Sequence, residues 1–160
     1  MLDPELWGSY SDAVTGELIH GCDGIGFVLT HDDPFRALDL DGAIDPATGR
    51  ISADAQAIVN SVDTYWEISP SYTGLRGILK GTKPGGRCTT SKNGVALEVY
   101  DSNRFVTITG LVIEDYDEVK EQQAALTGLY YWPFGDEADK GTAVRGDGEG
   151  FSGEDKELLG

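Results

Sequence analysis

Phe35-Arg36-Ala37-Leu38-Asp39-Leu40-Asp41-Gly42 is the stretch that decides the fold. Side chains of an extended strand point to opposite faces in turn. Leu38 and Leu40 therefore face a core, while Asp39 and Asp41 share the opposite face. Gly24 to Thr30 (Gly-Ile-Gly-Phe-Val-Leu-Thr) reads as a buried strand just upstream. The polar His31-Asp32-Asp33-Pro34 between them reads as a turn, so the two strands are expected to form a hairpin.

Working outward, Trp7 to His20 fits a short helix weakened by Gly16. Ser52 caps a clearer one, with Ala55, Ile58, Val59 and Val62 at helical spacing. Strands are expected over Tyr65–Ser69 and Leu75–Lys80, around a turn at Pro70 to Gly74. Thr82 to Gly94 reads as a polar, basic loop. Val95–Tyr100 and Arg104–Thr109 suggest a second hairpin around Asp101-Ser102-Asn103. Glu114 to about Leu126 fits another helix, with Tyr116, Val119 and Leu126 on one side. The pattern is α+β, mainly antiparallel sheet flanked by two or three helices. Residues 1–134 read as the core and 135–160 as an acidic, Gly-rich tail or linker.

The 160 residues suffice for one domain with a sizeable core. No apolar run approaches the roughly 20 residues that span a bilayer, and the acidic N-terminus lacks the apolar stretch of a signal peptide. A cytoplasmic protein without a membrane partner is expected. Cys22 and Cys88 share no short motif and read as reduced thiols.

The net charge is −16. Nucleic-acid-binding domains are usually basic, but six of the twelve Lys and Arg residues fall within 76–104: Arg76, Lys80, Lys83, Arg87, Lys92 and Arg104. An acidic body with one basic window suits a halophilic protein, since screening at molar salt removes the self-repulsion. An acidic interaction protein without an active site is the other reading of this charge balance.

Three segments carry the chemistry. Two carboxylates on one strand face, Asp39 and Asp41, suit a pair of Mg²⁺ or Mn²⁺ ions, which take hard oxygen ligands; on spacing alone they suit a solvated strand face as well. Ser69-Pro70-Ser71-Tyr72-Thr73-Gly74-Leu75-Arg76 offers hydroxyls, backbone N–H groups and a cation, a triphosphate cradle or an ordinary turn. Glu98 alternates with Leu97 and Val99 and is placed to complete an acidic triad; Asp101 is its competitor. Arg104 reads as a phosphate ligand or a surface ion pair, and His31 as a surface turn residue.

In order and spacing, these elements resemble the archaeo-eukaryotic primase superfamily, in particular the primase-polymerases of phages, plasmids and halophilic archaea. The matching residues are Gly24-Ile25-Gly26-Phe27-Val28, Asp33-Pro34-Phe35 with Leu38 to Asp41, Glu67 to Ser71 with Thr73-Gly74-Leu75, Glu98 to Ser102, and Arg104 to Gly110. The resemblance covers roughly residues 5–125. It implies an RRM-like catalytic core that joins nucleoside triphosphates on a single-stranded DNA template by two-metal phosphoryl transfer, with a helicase domain or subunit as partner. By position, it assigns Asp39, Asp41 and Glu98 to catalysis and metal binding. It assigns Ser71, Arg76, Lys80 and Arg104 to the nucleotide, and Lys83, Arg87 and Lys92 to nucleic-acid phosphates. Two departures are visible. Arg76 stands where the family commonly has histidine, and a strand usually precedes the Trp7 region. They motivate a second expectation: a catalytically impaired relative that binds nucleotide or nucleic acid in replication initiation.

Overall fold

The computed structural model describes residues 3–22, 24–92 and 95–134, without the side chains of 90–92 and 132–134. The assignment of 135–160 as a tail lies outside the described residues. A 3-10 turn, Pro4–Leu6, precedes α1 (Tyr10–His20). β1 (Ile25–Leu29), β2 (Phe35–Asp41), α2 (Ala53–Ser61), β3 (Tyr65–Ile68) and β4 (Leu75–Lys80) follow. The chain then forms β5 (Thr89–Lys92), β6 (Val95–Tyr100), β7 (Arg104–Ile108) and α3 (Gln123–Phe134). The α+β reading holds: three α-helices flank antiparallel sheets among the described residues.

The main sheet has five strands in the order β3-β4-β2-β6-β5, so β2 is its centre. Leu38 and Leu40 of β2, Leu75 and Leu79 of β4, and Leu97 and Val99 of β6 all face one side. There they pack against Ala55, Ile58 and Val59 of α2 and Leu126 and Leu129 of α3. Trp66 is fully buried in this layer, and its ring lies against Gly77, where an added Cβ would stand 2.9 Å from the indole. Ser52 caps α2 by accepting from the Ala55 N–H.

The other face carries Asp39 and Asp41 of β2, Arg76 and Lys80 of β4, and Glu98 of β6. It is partly covered by a two-stranded ribbon of β1 and β7. Leu29 and Val106 of the ribbon bury Ala37, with Phe35, Tyr100 and Ile108 around them. Beyond β7 the chain runs along the free edge of β3. Ile68 N–H donates to the Leu111 carbonyl, and Ile113 N–H to that of Trp66, each at 2.9 Å. That segment blunts an edge that would otherwise offer unpaired backbone groups.

Several local expectations are corrected. Neither hairpin forms: β1 pairs with β7, while β2 pairs with β4 and β6. Asp33 turns the chain by accepting from Thr30 N–H and Phe35 N–H, which sends β2 into the other sheet. The basic loop contains β5, a polar edge strand with no apolar signature. The last helix starts at Gln123, not Glu114. Asp115 has φ 71°, a left-handed conformation that stops a helix, and Lys80 hydrogen-bonds residues 120 and 122 like a short strand partner.

Candidate active site

Register across the sheet sets Glu67, Arg76, Asp39, Glu98 and Thr89 in one row, each opposite the next. Paired residues share a face, so all five side chains stand on the ribbon side, one strand spacing of about 4.8 Å apart. Asp41 lies two residues further along β2 on the same face, about 7 Å away. Alternation thus works as the sequence suggests, and Glu98, not Asp101, is the acid opposite Asp39.

Each acid of the row has a local partner. Asp39 Oδ2 accepts from Arg76 Nη2 at 3.1 Å, with both side chains about 15% exposed. Arg76 Nη1 donates to the Thr107 carbonyl at 2.7 Å, joining sheet to ribbon. Glu98 Oε2 accepts from the Tyr100 hydroxyl, and Oε1 from Thr89 Oγ1 at 3.3 Å. Arg104 stacks on the Tyr100 ring, 4.2 Å from its centroid, and stands 3.9 Å from Glu98 Oε2. Burial raises the Asp39 carboxyl above its ordinary range. The Arg76 charge and hydrogen bond oppose that shift, and the Asp41 and Glu98 charges add to it. Burial, with the bond to Glu98, pushes Tyr100 up to about 12.

A cleft of about 340 Å³ opens over Asp39 and Arg76 of this row. Ala37, Asp39, Arg76 and Tyr100 come from the sheet, and Asn103 to Thr107 form its other wall. The Ser71 hydroxyl lies in the β3–β4 turn, 3.0 Å from both Ser69 Oγ and Thr73 Oγ1. Ile44 N–H donates to the Thr73 carbonyl at 2.9 Å, tying this turn to the Asp41 end of β2. Close approach requires Gly74, where a Cβ would stand 2.9 Å from the Leu40 carbonyl.

The rest of the basic window is dispersed. Lys80 shares the face of Arg76 but lies four residues on, roughly 13 Å along the strand, and faces the Phe35 ring. Lys83 is 3% exposed, 3.4 Å from Asp101 and 3.2 Å from the Cys88 thiol, so it does not present its charge to a passing strand. Arg87 is exposed. The side chain of Lys92 lies outside the described residues. His31 is exposed, and both cysteines are free thiols.

Composition did not single out Glu67, yet it is fully buried. It accepts from Thr109 N–H, Gly110 N–H and the Tyr65 hydroxyl, at 2.7 to 3.1 Å. The Tyr65/Glu67 and Glu98/Tyr100 spacings were signals for these partnerships, since residues i and i+2 share a strand face.

Asp39 Oδ1 is buried and has no hydrogen-bond partner. An orphaned carboxylate oxygen flanked by two more acids fits a hard divalent cation. Among the described residues no three His, Cys, Asp or Glu side chains are gathered closely enough to hold an ion. Asp39 and Glu98 are instead turned to Arg76, Tyr100 and Thr89. No described helix is long and apolar enough to cross a membrane.

No protein-family model matches the chain. The chain is 39% identical over 131 residues to a DNA primase-polymerase of Nitratiruptor phage NrS-1. The match takes in 80% of this chain and 18% of that protein, so the chain spans less than a fifth of its relative's length. This relative bears out the resemblance drawn from the motifs.

Proposed function

We propose, on the premise that most of the chain is homologous to part of a phage DNA primase-polymerase, that it is the nucleotidyl-transfer core of such an enzyme. The observation that carries this reading is the row Arg76–Asp39–Glu98 on one sheet face, of which Arg76 and Asp39 line a cleft shared with Arg104. Asp39, Asp41 and Glu98 would hold two Mg²⁺ or Mn²⁺ ions. When bound, these stabilise charge on the attacking and leaving oxygens of phosphoryl transfer. Arg76 and Arg104 bind triphosphate oxygens, Arg76 through its planar fork. Tyr100 fixes the Glu98 carboxylate and carries Arg104 on its ring. Ser71 and Thr73 offer hydroxyls at the Asp41 end. Single-stranded DNA would be the template, with Arg87 as the exposed cation beside it, and a helicase domain or subunit would be the partner in the replicating assembly.

The test is primer synthesis and extension on single-stranded DNA with Mn²⁺, at low and at molar salt. Asp39→Ala with Asp41→Ala should abolish incorporation and keep the circular-dichroism spectrum. Continued incorporation by the double variant would remove these acids from the mechanism.

The Arg76–Asp39 bond and the ungathered carboxylates favour one other reading, a relative that binds nucleotide without turnover. Saturable binding of a deoxynucleoside triphosphate with no extension of a primed template would select it.

A further inference from the structure

The candidate site already holds a cation. Arg76 is always charged, and only 14% of its side chain is exposed. It reaches Asp39 Oδ2 with one nitrogen and the Thr107 carbonyl with the other. Asp41 and Glu98 share the face of Asp39. Their charges add to the burial that disfavours the Asp39 carboxylate, and the Arg76 guanidinium is the charge placed to offset them.

The contact is one-sided. Arg76 occupies Oδ2 and leaves Oδ1 buried and unpartnered. A divalent cation claiming Asp39 would therefore meet one open oxygen and one already engaged by a competing positive charge. Arg76 also has somewhere to go. Its second anchor, the Thr107 carbonyl, does not depend on Asp39, and both line the same cleft as Asn103 and Arg104.

We infer that Arg76 is the resident counter-ion of the metal-free site, holding Asp39 until a divalent cation displaces it and then turning, still tethered at Thr107, to the triphosphate in the cleft. The inference rests on the reading of Asp39 as a metal ligand. It makes Arg76 oppose the metal and favour the nucleotide. An arginine that served only as a phosphate ligand would leave binding of the metal alone unchanged. One that served only as a clip between ribbon and sheet would weaken both when removed.

The experiment titrates the full chain with Mn²⁺ alone, following free Mn²⁺ by electron paramagnetic resonance, and then titrates a deoxynucleoside triphosphate at saturating Mn²⁺. Arg76→Gln keeps an amide donor for Thr107 and loses the charge. It should bind Mn²⁺ about tenfold more tightly than wild type, a coupling of ordinary size between competing ligands, and should bind the nucleotide at least about fivefold more weakly. Unchanged or weaker Mn²⁺ binding by a folded Arg76→Gln, with Asp39→Asn binding Mn²⁺ poorly, overturns the counter-ion role and leaves the metal reading intact. Equal Mn²⁺ binding by wild type and Asp39→Asn overturns the metal reading itself, and the inference with it. If Arg76→Gln does not fold, Arg76→Met, which fills the space with neither a charge nor a hard metal donor, takes its place with the same two outcomes.

Discussion

Asp39 and Glu98 face each other across the β2–β6 ladder, from the central strand of the sheet to its neighbour, with their side chains on the face that the ribbon partly covers. The 58 residues between them in the chain are closed by register alone. Cross-strand neighbours on one face lie about 5 Å apart at Cβ, a distance at which two carboxylates repel unless a cation or a hydrogen-bond donor intervenes. Arg76 and Tyr100 are those groups here.

Glu98→Gln tests the pair. The amide oxygen can still accept from the Tyr100 hydroxyl, and the amide N–H can donate to the Thr89 hydroxyl, so the fold should be retained. The site would lose one of its charges, and incorporation should fall at least about a hundredfold, the scale seen when one electrostatic group is removed at a developing charge. The measurement is steady-state primer extension beside a thermal melt. Near-native activity with an unchanged melt would shift the third acid elsewhere, Asp101 being the next to substitute.

Glu67 makes a structural prediction. Its buried carboxylate accepts from two backbone N–H groups at the end of β7, and so fixes Thr109 and Gly110 over the sheet. Glu67→Gln would turn one amide N–H toward those donors and leave a buried group unsatisfied, at a cost of about 2–3 kcal/mol. Urea denaturation gives the number. Amide exchange at Thr109 and Gly110 should accelerate more than in α2, because the ribbon end loosens first.

Tyr65 ties stability to alkaline pH. Burial, then its bond to Glu67, raises the Tyr65 hydroxyl above the ordinary tyrosine value of 10.0. The folded state therefore keeps a proton that the unfolded chain loses. The stabilisation is whole below that ordinary value and is lost as pH rises past it. Denaturation of wild type and Tyr65→Phe across that range should show a constant difference up to about pH 9, then a shrinking one. A difference that grows with pH would reverse the sign and discard the hydrogen bond as its source.

Much of this architecture is legible in single residues. The limits of β2, the Ser52 cap of α2 and the common face of Asp39 and Asp41 follow from alternation and helical spacing, which are local. Strand partners are not local. Two adjacent strands joined by His31–Pro34 look like a hairpin, yet β1 leaves the sheet to pair with β7, and nothing in either strand names its partner. β5 was hidden because a polar edge strand lacks the apolar rhythm that marks a buried one. The helix expected from Glu114 fits the spacing of Tyr116 and Val119, but Tyr116 packs against the core from an irregular segment. At the site, the acids were visible and their partners were not. The Arg76–Asp39 bond needs the β2–β4 register, and the Arg76–Thr107 bond needs the ribbon.

The ribbon supplies the last prediction, through Gly26. This residue sits in β1 opposite Thr107 of β7, and the Phe105 ring lies directly over it. A Cβ added at Gly26 would stand 2.2 Å from Phe105 Cζ, far inside contact distance, so the ring would have to turn. The glycine is needed for packing here and not for its backbone angles. Gly26→Ala should cost about 1–3 kcal/mol, the usual penalty of overpacking. Phe105 and Thr107 also line the cleft, and Thr107 holds Arg76. The same substitution should therefore weaken nucleotide binding, although Gly26 is not among the residues lining that cleft. Phe105→Leu in the Gly26→Ala background should restore part of both losses, because the smaller side chain makes room for the methyl. The four proteins of this cycle, compared by denaturation and by nucleotide titration, measure the coupling directly. Additive losses would show that the ring and the glycine act separately, and that the ribbon does not transmit its packing to the site.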